Sequence, residues 1–160
     1  GRASLVHGAT LPYLGKTLML VRGEQRRPRV RQLGSCLLVA RSRQSDLARD
    51  LEQWFRRQAR SHFAARIHAL APLFGGRLPR MLSVRGQKTR WGSCSGEGNI
   101  SLNWRMMQLD ACLVDYVLAH ELCHLTHMDH SSAFWSLLGD GMPDYAVFRC
   151  ALAEVGELPL

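Results

Sequence analysis

The segment His120-Glu121-Leu122-Cys123-His124 combines residue types and a spacing that can do chemistry. Residues four apart on an α-helix differ by about 40° in azimuth and about 6 Å in rise, so two imidazoles on one face can converge on a single divalent cation. A cation kept open for catalysis needs a third protein ligand and leaves its fourth tetrahedral position to water. His127, Asp129 and His130 lie just downstream and are the candidates. Four of the chain's seven histidines fall in this short stretch, which favours metal binding over a chance polar face on a helix.

Among the three candidates, His127 lies about 10.5 Å along the axis from His120 if the helix continues, a poor geometry for three rings closing on one ion. If the helix ends near Thr126 and the chain turns back, His130 approaches from another direction. The spacing His120, His124, His130 equals that of the HExxHxxGxxH zinc peptidases, with His127 standing at the glycine position, so the turn must differ. Cys94 and Cys123 are thiols near the motif. Cys123 points about 60° away from His120 on the helical wheel and reads as a buried apolar thiol. Each ligating imidazole should give its other N–H to a carboxylate or carbonyl, and Asp129, Asp140 and Asp144 are available.

Other elements must hold this helix in place. Apolar runs at 17–21, 29–33 and 36–40, separated by Gly23-Glu24-Gln25 and Gly34-Ser35, predict a small antiparallel meander within residues 1–44. Leu47, Leu51, Trp54, Phe55, Phe63, Ile67 and Leu70 then recur at helical intervals, predicting a long backing helix over 45–72 with Ser45 as N-cap. Pro72 and Gly75-Gly76 end it. A catalytic segment over 80–145 follows. Within it 81–85 reads as a strand, and 90–95 as a compact polar turn. Residues 99–104 alternate, with Ile100, Leu102 and Trp104 on one side and Asn99, Ser101 and Asn103 on the other. Were that strand a sheet edge, it would pair with an extended peptide. Asp110 can cap the helix whose stripe is Val114, Leu118, Leu122 and Leu125, and two shorter helices split by 139–143 complete the chain.

With 160 residues, 46% of them hydrophobic, the sequence fits one α+β domain over 1–160 with a sizeable core. No run reaches the ~18 apolar residues of a membrane span, so no membrane partner is expected. Gly1-Arg2-Ala3-Ser4 brings no apolar leader, and five cysteines without a CxxC point to reduced thiols in the cytoplasm. Residues 1–80 carry 16 basic and 4 acidic side chains, whereas 81–160 carry 5 and 9. The Arg-rich first half can attract a weak anionic partner, or simply be a solvated basic face. Nothing in the sequence sets the oligomeric state.

Five further stretches carry a resemblance. Lys88-Thr89-Arg90-Trp91-Gly92-Ser93-Cys94-Ser95 precedes Gly98-Asn99-Ile100-Ser101-Leu102-Asn103-Trp104-Arg105. After the HExxH segment come His130-Ser131, Phe134-Trp135 and Met142-Pro143-Asp144-Tyr145. In combination they resemble the YgjP-like zinc metallopeptidases, relatives of the SprT-like and WLM proteases. The resemblance implies a zincin-like fold: small β elements on a backing helix and an HExxH helix, with a C-terminal helical part. It also implies His120, His124 and His130 as ligands of one Zn2+ per chain and Glu121 as catalytic base. The expected substrate is then a peptide or protein, hydrolysed by an activated water.

Arg90, Asn103 and Tyr145 are candidates for substrate binding or oxyanion stabilisation. Two other functions use the same residues. One is a metal-dependent hydrolase of a nucleotide or other phosphorylated substrate. The other is a nucleic-acid-associated module with structural zinc, which three histidines beside a glutamate disfavour.

Overall fold

A 27-residue helix, α1 (Gln44–Leu70), runs between two small sheets, and its sequence shows why it can face both. Leu51, Trp54, Phe55, Ala59, Phe63, Ile67 and Leu70 are all buried, a stripe at three- and four-residue intervals. The computed structural model describes residues 5, 7–41 and 43–160, so the reading of the first four residues lies outside the described ones. The helix begins two residues earlier than Ser45 as N-cap would place it, with Arg43 in the extended N-cap conformation. A short 3-10 turn, Ala71–Leu73, carries Pro72 and ends it.

The first sheet holds β1 (Thr10–Tyr13), β2 (Lys16–Arg22), β3 (Val30–Leu33) and β4 (Cys36–Val39) in the order β1-β2-β4-β3. It is mixed rather than the purely antiparallel meander that the turn signals predict. The long 23–29 connection lets β3 pass outside β4, and β2 pairs β4 in parallel, Leu20 opposite Leu37. The strand β1 was not foreseen. It closes on β2 through a two-residue turn, Leu14 and Gly15, both at positive φ (49° and 84°), as a tight hairpin requires. Leu11, Leu18, Leu20, Val30, Leu37 and Val39 are buried members of the core shared with α1.

The second sheet holds β5 (Met81–Arg85), β6 (Gly92–Cys94) and β7 (Asn99–Asn103) in the order β5-β7-β6. Two expectations change here. Residues 92–94, read as part of a turn, form a strand, and β7 is not an edge: β5 pairs it in parallel and β6 antiparallel. A peptide therefore cannot add to β7, and β5 and β6 are the two terminal strands of the sheet. Ile100 and Leu102 are fully buried, as the alternation requires. A 3-10 turn, Trp104–Gln108, leads to α2 (Ala111–His124), with Asp110 at its N-cap.

The helix α2 is buried on nearly every side, between α1, β6 and two C-terminal helices, α3 (Ser132–Gly141) and α4 (Tyr145–Ala153). Helix α3 continues through Gly139 and stops at Met142, later than the 139–143 break suggests. Among the described residues, no helix is long and apolar enough to cross a membrane.

Candidate metal centre

His120 and His124 project from the last turn and a half of α2, and the chain turns back immediately after His124. Leu125 caps the helix, and the His127 N–H donates to the Cys123 carbonyl at 2.9 Å, closing the reversal. Ser131 then caps α3, its hydroxyl accepting from the Phe134 N–H at 3.3 Å. Both ends of the 125–131 loop are thus fixed, and His130 is aimed back at the α2 histidines from a second direction.

The result is a convergence of three Nε2 atoms. His130 Nε2 lies 3.1 Å from His124 Nε2 and 3.2 Å from His120 Nε2, and all three ligand atoms lie within 4.8 Å of one another. A tetrahedral zinc with Zn–N near 2.0–2.1 Å requires ligand nitrogens about 3.3–3.4 Å apart. Three ring nitrogens this close need either a shared proton or a cation between them, so the donor set fits a divalent ion. The other nitrogen of His124 supports the same tautomer: Nδ1 is 3.0 Å from the His127 carbonyl, which it can reach as a donor, leaving the Nε2 lone pair for the centre. That outer partner is a backbone carbonyl, and not Asp129, Asp140 or Asp144. His127, poor as a ligand in the straight-helix reading, contributes through its carbonyl oxygen.

Phe134 forms an apolar floor, its ring centroid 5.1, 4.5 and 4.9 Å from those of His120, His124 and His130. Trp135 stacks on His130 at 5.6 Å. Burial, followed by the neighbouring His120 and His124 rings, holds the His130 pKa below the ordinary imidazole value, which favours the neutral, ligating form. His124 is buried and His130 exposed, so the centre opens to solvent on the loop side.

Glu121 is 5% exposed and stands beside the centre, its Oε2 3.3 Å from His120 Nδ1. Its aliphatic stem packs on β6, where a Cβ added to Gly92 would meet Glu121 Cγ at 3.3 Å. A side chain there would make this contact, and a 3.0 Å one with Leu102 Cδ2, tighter than ordinary packing. Cys94 and Cys123 stay outside the histidine cluster. Burial pushes the Cys123 thiol up to about 12 and, with the Glu121 charge adding to it, the Cys94 thiol up to about 11. Burial thus keeps both thiols protonated near neutrality.

The remaining candidates fall in different places. Tyr145 opens α4 and stacks on Trp135 at 5.6 Å, at the margin of the centre. Asn103 is 4% exposed and its amide is fully engaged, accepting from the Arg105 N–H at 2.9 Å and donating to the Arg90 carbonyl at 3.0 Å and to the Gln87 carbonyl. It therefore fixes the 87–90 loop and is not a free contact for substrate. Arg90 is exposed on that loop and is not part of the histidine cluster.

Tyr116 and Arg149 were missed by sequence reasoning. Tyr116 lies one turn before His120, with ring centroids 6.3 Å apart, and its place four residues before a candidate ligand was the available signal. The Arg149 guanidinium lies 4.9 Å over the Trp135 ring, and its position four residues after Tyr145 was the corresponding sign.

Known proteins resemble this chain. Among curated proteins none matches the chain. The crystal structure of the metallopeptidase zymogen of Pyrococcus abyssi abylysin superposes with a TM-score of 0.52 at 23% identity, covering 56% of this chain and 90% of that one, which shows a shared fold. Residues 2–154 match the YgjP-like metallopeptidase domain. With nearly its whole length accounted for in this way, the chain belongs to the YgjP-like metallopeptidase family.

Proposed function

We propose that the protein hydrolyses peptide bonds with a zinc ion held by His120, His124 and His130 and with Glu121 as general base. The observation that carries this reading is the meeting of three Nε2 atoms beside a buried carboxylate. When bound, zinc supplies a Lewis acid and lowers the pKa of a water toward about 7. Glu121 takes the proton of the attacking water and passes it to the departing amine. Its proximity to His120 Nδ1 and the packing of its stem on Gly92 fix the carboxylate's direction. Arg149 and Tyr145, gathered on Trp135, and Tyr116 beside His120 are the groups best placed to meet negative charge developing on the substrate.

The strand β6 gives the substrate its track. Asn103 donates to the Trp91 carbonyl at 2.8 Å and Ser95 to the Asn99 carbonyl at 2.9 Å, so residues 91, 93 and 95 bond inward to β7. By the alternation of an antiparallel ladder, the backbone groups of Gly92 and Cys94 turn to the open side. An extended peptide added there would lie over Glu121. The five unpaired thiols support a reducing compartment such as the cytoplasm.

Glu121→Gln is the test. It should keep one zinc per chain while peptide hydrolysis falls by about 10²–10⁴. Unchanged turnover would remove the base assignment. Cleavage of nucleotides with no action on any peptide would replace this reading with the phosphorylated-substrate one.

A further inference from the structure

A cavity of about 420 Å³ opens where β6 begins, between the 88–91 loop and the tail residues 156–160. Its wall includes Lys88, Arg90, Trp91, Asn103 and Arg105, together with Glu157 and Leu160. The loop side is rigidly set, because the Asn103 amide holds the Gln87 and Arg90 carbonyls. Arg105 is committed to structure. It donates to the Gly86 carbonyl at 2.7 Å and to the Leu160 carbonyl at 3.3 Å, and lies 4.7 Å over Trp104. Lys88 and Arg90 are exposed and form no ion pair with a described residue. Two unpaired cations beside an indole, on an anchored loop, make a receptor for a carboxylate.

The direction of β6 says which part of a substrate arrives there. A peptide pairing antiparallel with β6 runs from Cys94 toward Gly92. Gly92 lies against Glu121, so the bond to be cut is held near it. The chain beyond that bond continues past Trp91 toward Arg90, at about 3.3 Å per residue, and its second or third residue reaches the cavity. We propose that this cavity is a specificity pocket for a carboxylate two or three residues to the C-terminal side of the cleaved bond. The proposal rests on the peptidase reading above.

The carboxylate can belong to an acidic side chain or to the peptide's own terminus, and three quenched-fluorescence peptides separate the two. One has Glu in the third position after the cleaved bond and an amidated end, one has Gln there and an amidated end, and one has Gln as its free C-terminal residue. The zinc-loaded protein should cleave the first with a kcat/KM about three- to tenfold above the second. The third matches the first if the terminal carboxylate serves, and matches the second if only a side chain does. In the Lys88→Ala/Arg90→Ala double variant, shown folded by its melting temperature and zinc content, the Glu-to-Gln ratio should fall to about one. In Lys88→Glu/Arg90→Glu a Lys peptide should become preferred.

A wild-type preference for neither carboxylate peptide, or a ratio that survives both double variants, overturns the pocket. If no peptide is cut, fluorescence anisotropy of the same peptides on Glu121→Gln decides separately. Carboxylate-selective binding that Lys88→Ala/Arg90→Ala abolishes keeps the pocket and overturns only the peptidase reading, whereas equal binding overturns the pocket.

Discussion

The two sheets lean on the same helix and put their side chains to different uses. In the β1–β4 sheet apolar residues such as Leu20 and Leu37 are fully buried against α1, while arginines occupy the outer positions. Several of the basic side chains of the first half pair locally: Arg29 with Asp50 at 3.1 Å, Arg49 with Asp46 at 2.8 Å, Arg56 with Glu52 at 3.2 Å. The β5–β7 sheet is smaller and belongs to the half with the acidic excess. It places Gly92 against Glu121 and, through the turn after β7, launches the helix that carries two of the three histidines. Charge in bulk and chemistry therefore sit in different halves. The groups proposed to react are few, with Glu121 and His124 buried, and are set on an apolar floor that can hold a carboxylate and imidazoles in register.

This contrast can be broken at several points. The largest effect belongs to the histidines: His124→Ala should lose bound metal and reduce hydrolysis on the order of 10³-fold or more, whereas Arg31→Gln on exposed β3 should change it less than about twofold. Metal analysis with a peptide assay on both proteins checks the pair, and a comparable loss in Arg31→Gln would erase the division. Next comes the shared helix. Phe55, fully buried on α1 between the sheets, should cost about 3–5 kcal/mol as Phe55→Ala, measured by denaturant unfolding, with zinc stoichiometry unchanged while the protein is folded. The smallest effect sharpens the picture at one contact. Gly92→Val brings a Cβ to 3.3 Å from Glu121 Cγ and 3.0 Å from Leu102 Cδ2. It should lower kcat by about 10- to 100-fold while metal is retained.

Much of this was legible beforehand because it rests on short-range pattern. The HExxH spacing, the stripe from Leu51 to Leu70 and the alternation of Ile100 and Leu102 are local rules, and the helices and β7 follow them. What escaped depends on partners distant in sequence. Gly92-Ser93-Cys94 has too few residues and too little apolar character to read as a strand, so the order β5-β7-β6 was hidden and β7 passed for an edge. The engagement of the Asn103 amide was equally hidden. Its partners, the carbonyls of residues 87 and 90, lie on a loop more than ten positions away. The loop that delivers His130 could be framed but not traced, since its closure depends on backbone bonds and on the Ser131 cap.

The central claim is that His120, His124 and His130 bind one divalent ion through nitrogen alone, leaving a place for water. X-ray absorption at the zinc edge on protein purified without chelator tests it most directly. The account predicts one zinc per chain, with three imidazole nitrogens and one oxygen donor at about 2.0–2.1 Å. A sulfur scatterer at about 2.3 Å, or protein that takes up no zinc, would contradict it.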